Sequence, residues 1–145
     1  MAGGWQLNGV VIVQSGPPLG FGNAVILTDM NSIRLSGEQR RVERWFAAEG
    51  FVRDASRQLQ SNLRQVPLRF GGVRGDGQRA WDWSLFKTFA VTEKVKVQFR
   101  AEVYNSFNQA SFAAPNRNPT SGAFGTVTDT QSEAKNWQFS LFVKF

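Results

Sequence analysis

Apolar and polar residues alternate with a strict period of two in four separate stretches of the chain. In Val95 to Tyr104, Val95, Val97, Phe99, Ala101 and Val103 alternate with Lys96, Gln98, Arg100, Glu102 and Tyr104. In Trp137 to Phe145, one side carries Trp137, Phe139, Leu141, Val143 and Phe145, and the other carries Gln138, Ser140, Phe142 and Lys144. Gly4 to Gln14 places Trp5, Leu7, Gly9, Val11 and Val13 together. Arg79 to Ala90 does the same with Trp81, Trp83, Leu85 and Phe89, interrupted by Lys87. A side-chain period of two belongs to a β-strand with one face away from water. The pattern predicts strands at about 4–14, 79–90, 94–105 and 135–145. Burying five large apolar side chains on one strand face is worth on the order of 10 kcal/mol, so such a face is built to meet something other than water.

The connections alternate in length. Ser15-Gly16-Pro17-Pro18 stops the first strand, and Leu19 to Gln78 is long, irregular and rich in glycine. Within it, Val25-Ile26-Leu27 reads as a short strand. Glu38 to Ala48 reads as one helical stretch, with Val42, Trp45 and Phe46 at helical spacing. Gly71-Gly72-Val73-Arg74-Gly75-Asp76-Gly77 lacks the Lys-Ser/Thr of a phosphate loop and reads as a flexible loop. Val91 to Lys94 is a tight turn that makes a hairpin of the strands around it. Asn105 to Asn136 is again long, with Phe124 to Thr128 as a short extension. Long connections at one end of a sheet and a short one at the other are the arrangement of outer-membrane barrels, with short turns inside and long loops outside. The strands, about ten to twelve residues each, match the length that crosses a bilayer at a tilt. Trp81 and Trp137 fall near the outer interface, and Trp5, Phe89 and Phe145 near the inner one, as two aromatic girdles would.

The expected fold is therefore all-β. It is an antiparallel up-and-down meander of about four long strands, a fragment of a transmembrane β-barrel, with long loops and one short helix near 38–48. Trp81, Trp83, Leu85, Phe89, Val95, Val97, Phe99 and Val103 would face lipid, and Lys96, Gln98, Arg100 and Glu102 would face the lumen. Val95→Arg or Val97→Arg would then cost about 2–4 kcal/mol at mid-depth. The rival reading of the same aromatics is the core of a soluble β-sandwich.

Composition narrows the chemistry. The chain has 14 Gly, 13 Phe and 5 Trp, and neither Cys nor His. Disulfides, thiolate sites, imidazole metal sites and histidine acid–base catalysis are excluded. The carboxylates sit on turns or strand faces with no motif around them. No enzyme activity, metal or cofactor is expected. The net charge is +6, and ten of the 17 basic residues lie between Ser15 and Arg79 among six acids. That mixture reads as a solvated loop. Its alternative is a soluble β-domain that binds nucleic acid or another polyanion through Arg40, Arg41, Arg44, Lys96 and Arg100. Phe99 lies on the face opposite Lys96 and Arg100, so stacking and phosphate contact would not share a surface, and no nucleic-acid partner is expected. No apolar run approaches the length of a spanning helix, and Met1-Ala2-Gly3-Gly4-Trp5 lacks the basic and apolar regions of a signal peptide.

Trp81-Asp82-Trp83-Ser84-Leu85-Phe86-Lys87, then Val91 to Glu102, then Tyr104-Asn105-Ser106-Phe107-Asn108, resembles the C-terminal barrel region of Oar-like TonB-dependent transporters. Gly4 to Gly9, Gln14-Ser15-Gly16, Arg44-Trp45-Phe46, Phe124-Gly125 and the aromatic terminus follow the same order. The resemblance implies a 22-stranded outer-membrane barrel filled by a plug and energised through TonB. With about four strands, no plug and no TonB-contacting segment, the chain would be the C-terminal structural segment of such a transporter, not expected to transport by itself. Its partners would be outer-membrane lipid, the rest of the barrel and its plug, and TonB only through segments outside this sequence. The terminal strand resembles the signal read by the barrel-assembly machinery, a role that falls on Trp137, Phe139, Leu141, Val143 and Phe145.

Overall fold

A computed structural model describes residues 3–60 and 63–145; Met1 and Ala2 of the opening stretch, and Ser61 and Asn62 of the long connection, lie outside it. The described residues divide into two units. One comprises the chain up to Gln14, Gln78–Ser111 and Ser132–Phe145; the other comprises Ser15–Gly77 and Phe112–Gln131.

The first unit is a single four-stranded antiparallel sheet. Its strands are β1 (Trp5–Gln14), β4 (Gln78–Ala90), β5 (Lys96–Tyr104) and β6 (Asn136–Lys144), hydrogen-bonded in that order. Each strand pairs with the next one of the sheet in chain order, so the sheet is the expected up-and-down meander. The β4–β5 turn closes when the Val91 and Thr92 amides both donate to the Val95 carbonyl, at 2.9 and 3.1 Å. Val95 donates in turn to the Thr92 hydroxyl at 3.0 Å. Val95, expected to face lipid from within a strand, is thus the last residue of the turn.

Register is fixed by which face carries the large side chains, because a slip of one residue would exchange the faces of a whole strand. Gly9 stands opposite Trp83, and the indole lies over it: a Cβ at Gly9 would come 2.5 Å from the Trp83 ring. The ring covers backbone that glycine leaves bare, a known device for strengthening glycine in strands. Gly9→Leu should therefore expel the Trp83 ring and destabilise the sheet by about 1–3 kcal/mol, as overpacking does. A denaturant midpoint equal to that of the parent chain would contradict this.

After β5 the chain turns at Asn105 and Asn108, both at positive φ, 47° and 50°. Asn105 is buried. Its amide nitrogen donates to the Gln109 and Glu133 carbonyls at 3.0 and 2.8 Å, and its side-chain oxygen accepts from the Gln109 amide at 3.0 Å. Its backbone N–H donates to an Asp82 carboxylate oxygen at 2.8 Å. Asparagine suits the position because it tolerates the left-handed region and bonds locally. Asn105→Ala should cost about 1–3 kcal/mol for the polar groups left unpaired. Asn105→Gly, which relieves φ but restores no bond, should recover only part of that in thermal unfolding.

The second unit is made from the two long connections folded together. It holds a short pair, β2 (Pro18–Leu19) with β3 (Phe70–Arg74), and two single 3₁₀ turns at Met30–Ile33 and Ala55–Arg57. The segment Phe70–Arg74 is ordered as a strand, so the glycine-rich stretch is not the flexible loop expected along its whole length. The second 3₁₀ turn is capped by Asp54, whose carboxylate accepts from the Ser56 hydroxyl and amide at 2.7 and 2.8 Å. Those bonds hold its pKa below the ordinary carboxylate value, so the cap is complete at neutral pH and is lost as acid protonates the group.

This unit has its own hydrophobic core: Leu19, Phe21, Ala24, Ile26, Ile33, Trp45, Phe46, Phe51, Val66, Val73 and Phe124. Phe46 is fully buried, with ring centroids 5.1 Å from Phe21, 5.9 Å from Phe51 and 5.1 Å from Phe124. The helix expected near 38–48 is absent. Arg41 and Arg44 bond each other's backbone in a tight reversal, at 3.0 and 3.1 Å. Trp45 then donates to the Gly125 carbonyl at 2.8 Å, Ala47 donates to Ile33 at 2.9 Å, and Val42 accepts from Val127 at 2.7 Å. The backbone around the Trp45-Phe46 doublet bonds outward to other segments, so it cannot close i to i−4 bonds. Val25–Leu27 makes only an isolated bridge, Ile26 to Phe51, and Phe124–Thr128 forms no strand.

Candidate functional site

The sheet has two unlike faces, and the register puts each together from all four strands. On one face the row Leu7–Leu85–Ala101–Phe139 runs straight across the sheet. The row Gly9–Trp83–Val103–Trp137 lies to one side of it, and Trp5–Lys87–Phe99–Leu141 to the other. Phe89–Val97–Val143 completes the face near the turn. The face is apolar and it is not packed shut. Leu7 is 68% exposed, Phe139 64%, Leu141 66%, and even on the central strands Leu85 and Phe99 are 39% and 38% exposed. Phe139 stacks on both Phe99 and Trp137, at 6.3 and 6.1 Å between centroids. The sandwich alternative would need these rings enclosed, and they are not.

The expected lipid-facing residues do not behave alike. Trp83, Leu85, Phe89 and Phe99 are open, Val97 is half-buried, and Val103 is buried at 7%. Trp81 is half-buried, with its ring edge-on to Phe107 at 5.5 Å. Its indole N–H is buried without a partner among the described residues. Of the terminal-strand residues, Trp137, Phe139, Leu141 and Val143 share the apolar face, and Phe145 lies beyond the end of β6, almost wholly exposed.

The charge that interrupts this face has a physical account. The Lys87 ammonium donates to the Gly3 carbonyl at 2.7 Å. It also sits 4.7 Å from the Trp5 ring centroid and 5.5 Å from that of Phe89. It lies towards the turn end of β4. At the opposite end of the face, Lys135 stands 5.5 Å over Trp137. Lys87, one row in from the turn end of the face, and Lys135, at its other end, thus each sit on an aromatic ring, the combination that suits a membrane–water interface. From Trp5 to Val13 the strand rises about 26 Å at about 3.3 Å per residue. At the usual barrel tilt of about 40° that covers about 20 Å of height, most of the ~25 Å of an apolar barrel band.

The other face is polar but has an aromatic clamp that the sequence pattern alone did not single out. Arg100 lies between Phe86 and Phe142, its guanidinium carbon 4.7 and 4.4 Å from their ring centroids. Its Nε donates to the Gln98 side chain at 3.0 Å, and Gln98 donates to the Thr88 hydroxyl at 3.3 Å. Lys96, Gln98, Arg100 and Glu102 therefore share one face, together with Asp82 and Lys144. The two phenylalanines were visible as breaks in the polar alternation of the strands flanking Arg100. A planar cation explains them, since guanidinium stacks on aromatic faces.

The family model described as "Outer membrane beta barrel domain" matches residues 1–138. No curated protein and no solved structure matches the chain. The match spans all of β1, β4 and β5 and the start of β6, so the open two-faced sheet coincides with the region of likeness. The chain belongs to the outer membrane beta barrel domain family.

Proposed function

We propose that the chain supplies four neighbouring strands to the barrel of an Oar-like TonB-dependent transporter, as a structural segment and not as an enzyme. The observation that carries this reading is the continuous apolar face shared by four paired strands and left open to its surroundings. Lipid acyl chains would cover it. Lys96, Gln98, Arg100 and Glu102 would face the lumen, where a plug or a passing solute meets them. The β4–β5 turn would lie in the periplasm and both long connections outside the cell. β1 and β6 each keep one unpaired edge, and a closed barrel needs about eight strands or more, so further strands would pair there. The same unpaired edge of β6, with Trp137, Phe139, Leu141, Val143 and Phe145, would be what the barrel-assembly machinery engages, because an open edge accepts another strand. TonB contact would depend on segments outside this sequence.

The polyanion reading gains no support. Arg44 is paired with Glu49 at 2.7 Å, and Arg100 is clamped between two rings. Arg40, Arg41 and Arg44 also belong to a different unit from Lys96 and Arg100.

The chain has no cysteine, so single-cysteine spin labels are free of background. Labels at Phe139→Cys and Leu141→Cys should collide with oxygen dissolved in lipid, and labels at Gln138→Cys and Ser140→Cys with a water-soluble nickel chelate. Equal accessibility of the two sets in a bilayer would end the proposal.

A further inference from the structure

The folded connections contain ten basic residues, and all ten are arginine: nine between Ser15 and Gly77, and Arg117. Only one ion pair, Arg44 with Glu49, occurs among the described residues. Three of the remaining arginines, Arg34, Arg40 and Arg74, line one pocket of about 300 Å³ together with Trp45, Gly71 and Gly72. No carboxylate lines it.

Two of these cations are held in place. Arg40 lies 4.5 Å over the ring of the buried Trp45. Trp45 is itself fixed by its indole N–H, which donates to the Arg74 carbonyl at 2.7 Å. Arg74 donates through Nε to the Gly16 carbonyl at 2.7 Å, an anchor that leaves its terminal nitrogens without a hydrogen-bond partner among the described residues. Arg34 has no side-chain partner among the described residues. The pocket wall from β3 is bulged: Pro18 pairs with Arg74 and Leu19 with Phe70, so Gly71, Gly72 and Val73 have no cross-strand partner in β2. An adjoining groove shares Arg40 and Trp45 and carries Glu43 and Asp76, but Asp76 is bonded to the Gly77 and Phe112 amides at 3.0 and 2.9 Å.

From this we infer a binding site for a small oxyanion, of phosphate or carboxylate type and carrying two or three charges. Guanidinium forks match such oxygens in pairs, and positions already fixed by stacking and tethering reduce the entropy lost on binding. A volume of about 300 Å³ suits a small molecule and not a polymer. The site goes beyond the barrel role and does not rest on it, since its residues all belong to the folded connections.

The test is calorimetric titration of the full chain in zwitterionic detergent with inorganic pyrophosphate, with citrate, and separately with micelles containing phosphatidic acid. The expected result is saturable binding of at least one probe. Arg34→Gln, Arg40→Gln and Arg74→Gln should each weaken it tenfold or more. Arg57→Gln, outside the pocket, should change it less than twofold. Preference for the free anions would identify a soluble ligand, and preference for the micelles a lipid headgroup; either supports the site. Arg34 makes no side-chain hydrogen bond or ion pair among the described residues, so its replacement breaks none of them, and near-ultraviolet circular dichroism checks the fold of all three variants. Absence of saturable binding by the parent chain would overturn the inference. So would an equal loss in Arg57→Gln, or parent-like binding when Arg34, Arg40 and Arg74 are all changed to Gln together.

Discussion

Leu85→Arg should lower the stability of the bilayer-inserted sheet by about 2–4 kcal/mol, the cost of a cation at the middle of a lipid-facing barrel surface. Leu85 sits in the central row of the apolar face, flanked by Leu7 and Ala101 on the neighbouring strands. Each 1.4 kcal/mol is a factor of ten, so the folded-to-unfolded ratio should fall between about thirtyfold and a thousandfold. Val97→Arg, expected from periodicity alone to act at mid-depth, should cost less, about 0–1 kcal/mol. The register explains the difference. Val97 is the second residue of β5 and pairs with Phe89 and Val143 beside the turn, so a long arginine there can reach the interface. Gln98→Arg, on the polar face, should be close to neutral. Equilibrium unfolding from phospholipid vesicles distinguishes the three. A Leu85→Arg loss no larger than that of Gln98→Arg would mean that the apolar face does not meet lipid.

That Val97 lies beside the turn and Leu85 at mid-sheet is not written in either strand alone. Alternation is local: four or five residues suffice to assign a face, and that face is the same whichever strand pairs next. The meander, the tight turn and the sharing of Val97, Phe99 and Phe139 were therefore legible. Height along the sheet is not local. It depends on register, which depends on contacts such as Trp83 over Gly9, and nothing in either strand alone states that pairing. Lys87 looked like a defect in its stripe for the same reason. Its partners, Trp5 and the Gly3 carbonyl, are more than eighty residues away.

The folded connections were less legible still. Their core comes from segments with no period: Phe21 and Phe51 from the first connection meet Phe124 from the second around Phe46. Glycine and proline in both stretches signalled loops, correctly as to secondary structure. They gave no sign that the two loops would exchange backbone bonds, as Trp45 does with Gly125 and Val42 with Val127. The Trp45-Phe46 doublet imitated a helical stripe because two adjacent aromatics, one reversal after Val42, match helical spacing by accident. Long barrel loops without secondary structure are normally mobile. A set of interlocked rings is what makes these an exception.

Phe46→Ala should therefore have a large and localised effect. The ring is fully buried and touches three other aromatic rings, and removing such a ring costs about 3–5 kcal/mol through lost transfer energy and the cavity left behind. Hydrogen exchange by mass spectrometry reads the consequence. Peptides from Ser15–Gly77 and Phe112–Gln131 should lose protection by about two to four orders of magnitude where exchange follows the opening equilibrium. The ladder amides of β4 and β5 should keep theirs, because none of their cross-strand bonds involves the second unit. Both connections must respond together, since Phe124 of the second loses a neighbour in the first. Loss confined to the first connection would mean that the rings do not form one core. Parallel loss in β4 and β5 would mean that sheet and connections unfold as a single body. The expected pattern, a loosened pair of connections on an intact sheet, follows only if each unit holds itself together by its own contacts.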